Sequence, residues 1–129
     1  MKLETPIVTI SKTPAESFAF LTDLKNFDQL MPSNKQKFEV DGDSFLFALS
    51  GMPEIRLVLK EKIPNEKIVL GAASSKLDFT LTVLLTESDD HKTNSQLFFE
   101  GDFNPMMAMM VKKPLTNFIN ALSENMKNA

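Results

Sequence analysis

The spacing of apolar residues changes twice along this chain, and that change limits the fold more than any other feature. From residue 35 to 103 apolar side chains recur every second position, whereas on either side they recur every three or four. Asp41-Gly42 separates two alternating runs, a hairpin signal, and Phe45, Phe47 and Leu49 form the apolar set of the second run. Ile55, Leu57 and Leu59 then alternate with Glu54, Arg56 and Lys60, with Val58 the one apolar residue on the polar side. Ile68 and Leu70 follow the Pro64-Asn65 break, and Leu77, Phe79, Leu81, Val83 and Leu85 alternate with Asp78, Thr80 and Thr82. The polar turn SDDHKTN leads into Leu97, Phe99 and Phe103. This pattern predicts about six strands in an antiparallel meander with one buried face. The expected inward positions are Phe45, Phe47, Leu49, Leu57, Leu59, Leu70, Leu77, Phe79, Leu81 and Phe99.

The flanks are helical. Residues 3–10 (LETPIVTI) read as an opening strand, with Pro6 marking an edge or an end. In TPAE, Thr13 can cap a helix, Pro14 suits its first position and Glu16 can close a capping box. Phe18, Leu21 and Leu24 continue at helical spacing, and a short second helix from about Asn26, carrying Phe27, Leu30 and Met31, stops at Pro32. A long helix from Pro105 to Met126 closes the chain, with Leu115, Phe118, Ile119, Leu122 and Met126 as its stripe. At 129 residues the whole chain, 1–129, is expected to form one domain around a core that needs no covalent staple.

The order strand, two short helices, meander and long helix resembles the START-like helix-grip superfamily (SRPBCC), the polyketide cyclase/dehydrase and lipid-transport group related to Bet v 1. The segment TISKTPAESFAFLTDLKNFDQLMP, residues 9–32, carries the likeness at one end, and GDFNPMMAMM before the last helix carries it at the other. The resemblance implies an α+β fold in which a curved antiparallel sheet of about six to seven strands wraps a C-terminal helix. It also implies a cavity between sheet and helix that takes a hydrophobic small molecule: a lipid, a quinone or a polyketide-like compound. Leu24, Phe27, Met31, Phe45, Phe47, Leu57, Phe79, Leu81, Phe99, Met107, Met110 and Phe118 are the residues expected to line it. Members that do chemistry place polar side chains in that cavity. Here the inward set is wholly apolar, which argues against a cyclase-type enzyme. The other reading is an interaction or adaptor module, or a homodimer, whose interior is filled.

Composition narrows the chemistry further. A net charge of −3 and scattered lysines speak against nucleic acid as a partner. The absence of cysteine removes thiol catalysis and cysteine–zinc sites, and no cofactor or metal is expected. His91, the only histidine, lies in a polar turn where solvent is the expected neighbour. Arg56, the only arginine, falls on the polar side of its strand, and Glu100 and Asp102 alternate away from Phe99 and Phe103. Four glycines make no phosphate loop. No run approaches the length of a membrane span and the first ten residues do not read as a signal peptide, so the cytoplasm is the expected setting. Eleven Phe without a single Tyr or Trp predict a dry interior, because Phe brings no polar group that needs a partner.

One cluster stands apart. Residues 106–110, MMAMM, place four of the eight methionines within five positions, followed by Lys112, Lys113 and Pro114. Projected around the last helix, Ala108 and Val111 stay on the core face and Met107 falls at its edge. Met106, Met109 and Met110 fall on the other side, so one straight helix cannot bury all four against one sheet. Thioethers without His or Cys are poor ligands for most metals. The expectation is a gate, with Met107 and Met110 toward the cavity mouth, or a homodimer interface through Met106–Met110. Methionine suits either role because it repacks around variable shapes.

Overall fold

The period-2 segment folds as six consecutive antiparallel strands, and a computed structural model of the protein describes residues 1–52, 54–73 and 78–128. The opening residues form two short strands, β1 (Lys2–Glu4) and β2 (Val8–Ile10). The meander comprises β3 (Lys35–Asp41), β4 (Ser44–Leu49), β5 (Ile55–Ile63), β6 (Lys67–Ala72), β7 (Asp78–Ser88) and β8 (Lys92–Asp102). The sheet runs β1-β8-β7-β6-β5-β4-β3, and β2 also pairs with β8. Neighbours in the meander are neighbours in sequence, as short turns require. The chain is α+β, a curved open sheet packed on one long helix.

Alternation decides which face is covered. Along β4 and β7 every second residue is buried, and Phe45, Phe47, Leu49, Phe79, Leu81, Val83 and Leu85 all lie inside. Two departures from the expected pattern have local causes. The opening strand breaks at Thr5-Pro6-Ile7, because Pro6 has no N–H to offer β8. Thr5 replaces the missing ladder: its N–H donates to the Leu97 carbonyl (3.0 Å), and its Oγ1 accepts from the Leu97 N–H (3.0 Å). The second departure is Leu59, only half-buried, where a bulge between Leu59 and Glu61 shifts the register of β5 against β6. Leu77, also expected inward, lies outside the described residues.

Helix α1 (Pro14–Thr22) starts as its sequence dictates. The Glu16 N–H donates to Thr13 Oγ1 (3.1 Å) and the Thr13 N–H donates to Glu16 Oε1 (3.0 Å), a complete capping box. A 3₁₀ helix, Leu24–Leu30, follows and buries Leu24, Phe27 and Leu30, two residues ahead of Pro32. Helix α2 (Pro105–Met126) is capped by Asn104, whose Oδ1 accepts from the Met107 N–H (2.8 Å). Its stripe of Leu115, Phe118, Ile119, Leu122 and Met126 is buried against the sheet. Asn125 Nδ2 ties its far end to the Leu30 carbonyl (2.9 Å). Pro114 sits inside α2, where it removes the hydrogen bond to the Met110 carbonyl without ending the helix.

The capping box makes a pH-dependent contribution. The Thr13 backbone N–H, then its hydroxyl, hold the Glu16 carboxyl below its ordinary value. A carboxylate depressed in the folded state stabilises fully above its unfolded value and loses that effect as pH falls through the folded one. Thr13→Ala should cost about 1 kcal/mol in denaturant unfolding. The gap in melting temperature between the wild type and Glu16→Gln should narrow as pH falls from about 6 to about 3.

Candidate functional site

The inner surface of the sheet carries two groups of phenylalanines. In the first, Phe45 stacks on Phe27 at 5.1 Å, and Phe38 and Phe47 flank it at 5.3 and 5.9 Å. Phe47 in turn stacks on Phe118 of α2 at 4.7 Å, so this group binds sheet, 3₁₀ helix and α2 into one block. In the second, Phe79 lies 5.3 Å from Phe99, and Phe103 closes on both at 6.3 and 6.2 Å. The two groups differ in what surrounds them. The first is solid. The second borders a cavity.

That cavity lies under the first turns of α2 and is lined by Met52, Ile55, Phe79, Phe99, Phe103, Met107, Val111 and Leu115. Every lining residue is apolar. Its enclosed room is about 30 Å³, enough for a water or two by volume, and its described lining offers no polar side chain to hold one. Counting the open side, the cleft spans about 340 Å³. Gly101 shapes it from below. A methyl group at that position would meet the Phe103 ring at 2.7 Å and Phe79 Cβ at 3.0 Å, so only glycine lets Phe103 fold back over β8.

Of the residues expected to line a cavity, the structure brings Phe79, Phe99 and Met107 to this one. Leu24, Phe27, Met31, Phe45, Phe47, Leu57, Leu81 and Phe118 are buried in one apolar cluster instead, where side chains of the 3₁₀ helix and α2 meet those of the sheet. Met110 was expected at the cavity mouth, but it is 66% exposed and points away from the sheet. Helical phase explains it: Met110 lies one residue before Val111, which takes the inward direction. Met106 and Met109, at 75% and 83% exposed, stand on the same outer side, beside exposed Lys112 and Lys113. Sequence spacing alone does not single out Met52 and Phe103. Met52 lies in a turn, and Phe103 owes its position to Gly101.

Among the described residues no polar side chain lines the cavity. Arg56 lies on the outer face, half-buried, with Nη1 donating to Ser44 Oγ (2.8 Å). His91 is exposed in a short 3₁₀ turn with φ +58°. Among the described residues, no three His, Cys, Asp or Glu side chains gather as metal ligands, and no helix is long and apolar enough to cross a membrane.

Neither a protein-family model nor a curated protein sequence matches the chain. Solved structures do match in shape. Norcoclaurine synthase from Thalictrum flavum superposes with a TM-score of 0.76 at 10% identity, covering 99% of this chain and 84% of that one. A START superfamily protein from Mycobacterium smegmatis gives 0.66 at 10% identity, covering 98% and 97%. This chain has the START-like helix-grip fold. The KanY protein, solved by NMR, shares it with a TM-score of 0.78 at 10% identity over 99% of this chain and 95% of that one. At such identities the helix-grip likeness establishes architecture, and what the site does must come from its own residues.

The contrast between the two phenylalanine groups is measurable. Phe45→Ala, in the solid group, should cost about 3–5 kcal/mol in urea unfolding. Gly101→Ala should cost about 1–3 kcal/mol, because the Phe103 ring has to leave its place.

Proposed function

We propose that the protein binds a small hydrophobic molecule, a lipid, quinone or polyketide-like compound, in the cleft between the sheet and the start of α2. The observation that carries this reading is the all-apolar lining, with two methionines and the Phe103 ring at the point where the packing is incomplete. An apolar cavity stays dry and favours an apolar guest over water. Ligand sites of this kind usually span about 300–1,000 Å³, so the enclosed room is too small for such a guest as it stands. Uptake therefore requires Met52, Met107 and Phe103 to move. Methionine rearranges at little cost, and Phe103 is only half-buried. The fixed wall consists of Ile55, Phe79, Phe99 and Leu115, all buried. In this reading the protein is a cytoplasmic carrier or sensor, since among the described residues no ionisable group lines the cleft to act on the guest.

A second reading rests on the outer side of α2. Three exposed methionines on one helical face form an apolar patch that suits a partner protein or a second copy of the chain. The two readings use opposite sides of the same helix and separate cleanly.

Native mass spectrometry of protein purified without detergent should show a bound apolar species, or thermal shifts should appear with fatty acids, quinones or aromatic polyketides. Met107→Glu should abolish both signals. A chain that carries nothing and responds to none of the panel is not a carrier. For the second reading, Met109→Glu should disrupt association in sedimentation experiments while leaving ligand uptake intact.

A further inference from the structure

The sheet ends in β3, and among the described residues no strand pairs with its outer edge. We infer that this edge is a self-association site, pairing antiparallel with β3 of a second copy about a twofold axis through Phe38. The inference concerns a different surface from the cleft and from the methionine patch, and depends on neither.

Backbone direction comes first. Gly42 and Asp43 form a two-residue turn between Asp41 and Ser44, with Gly42 at φ +59°. The residues closing such a turn exchange hydrogen bonds, and bonded and non-bonded pairs then alternate along the hairpin. Counting back, Asp41, Glu39 and Lys37 direct their N–H and C=O groups to β4. Val40 and Phe38 direct theirs to the open edge. A twofold axis through Phe38 therefore sets two Phe38 residues opposite each other with both backbone groups ready to exchange bonds.

Charge then selects the register. Strand β3 reads KQKFEVD, and Lys37 and Glu39 lie on the outer face opposite Ala48 and Leu46. With the axis at Phe38, Lys37 faces Glu39 of the second copy and Glu39 faces its Lys37. Lys35 takes no part in this match, because the bulge between Lys35 and Lys37 sets it opposite inward-facing Leu49, and its ammonium pairs with Asp28 in the same chain. An axis at Lys37 sets two lysines together and one at Val40 sets Glu39 against Asp41, while one at Glu39 matches Lys37 with Asp41 but forces two Glu39 carboxylates together at the axis itself. Unlike charges directly across strands stabilise pairing and like charges oppose it. Charged residues on an edge strand commonly deter pairing. A purely deterrent edge needs only one sign, whereas this strand changes sign at its midpoint and complements itself in one register. On the inner face, the Phe38 ring, already 5.3 Å from Phe45, would meet its own counterpart and continue the aromatic row.

Analytical ultracentrifugation at low salt should show a monomer–dimer equilibrium that weakens as salt is added. Glu39→Lys and Lys37→Glu should each weaken the dimer at least about tenfold. The double exchange Lys37→Glu with Glu39→Lys should restore it. Each single change also touches a contact within the monomer, where Lys37 lies 3.2 Å from Glu54 and 4.0 Å from Glu39, so the double exchange is the deciding variant. Amide hydrogen exchange gives an independent reading: protection at Phe38 and Val40 should rise with protein concentration, while Lys37 and Glu39 stay protected throughout. A chain that remains monomeric with unprotected Phe38, or a double exchange that fails to restore the dimer, overturns the inference. Dissociation by Met109→Glu alone overturns it too, since the contact would then run through α2.

Discussion

Everything in this molecule depends on the seating of α2 in the concave face of the sheet. Alternation leaves Phe45, Phe47, Leu57, Leu70, Leu81 and Phe99 on one surface, and a curved sheet cannot cover that surface by itself. A helix of 22 residues, about 30 Å long, is the one element that reaches across it. Burial of Leu115, Phe118, Ile119, Leu122 and Met126 contributes roughly 1.5–3 kcal/mol apiece, and the Phe47–Phe118 stack fixes where the helix sits. The 3₁₀ helix and α1 then fill the opening that α2 leaves. Without that seating the cleft would not exist, since Met107, Val111 and Leu115 of α2 form one side of it.

Filling the interior with phenylalanine has a second effect. Tyrosine or tryptophan in the same places would need hydrogen-bond partners, and partners would bring polar groups under α2. Phenylalanine allows a cleft whose lining, among the described residues, is wholly apolar. The same choice makes the packing close, because flat rings stack tightly around Phe45. The all-apolar cleft borders the rings of Phe79, Phe99 and Phe103 and none of those around Phe45.

Much of this was legible in the sequence because it follows from local rules. The capping box at Thr13, the meander, the limits of α2 and the outward phase of Met106 and Met109 all come from spacing and turn chemistry. What escaped depends on contacts distant in the chain. Leu59 obeys the alternation yet is half-buried, because a bulge against β6 interrupts it. Thr5, a polar residue beside a proline, is buried because it completes the ladder with Leu97. Most of the residues expected at a cavity are core residues, since periodicity identifies an inward side chain but not whether anything lies against it. The position of the cleft turns on Gly101, whose missing side chain matters only once Phe103 is seen lying over it.

Pro114 divides α2 into segments with different anchorage. Beyond it, Leu115, Phe118, Ile119, Leu122, Ser123 and Met126 are buried; before it, Val111 is the one buried residue of the helix. The hydrogen bond that would couple the two parts at Met110 is missing. Opening of the first two turns therefore breaks few contacts and need not propagate into the rooted half. The molecule thus possesses a region of low local stability within an otherwise continuous helix, and that region is the roof of the all-apolar cleft.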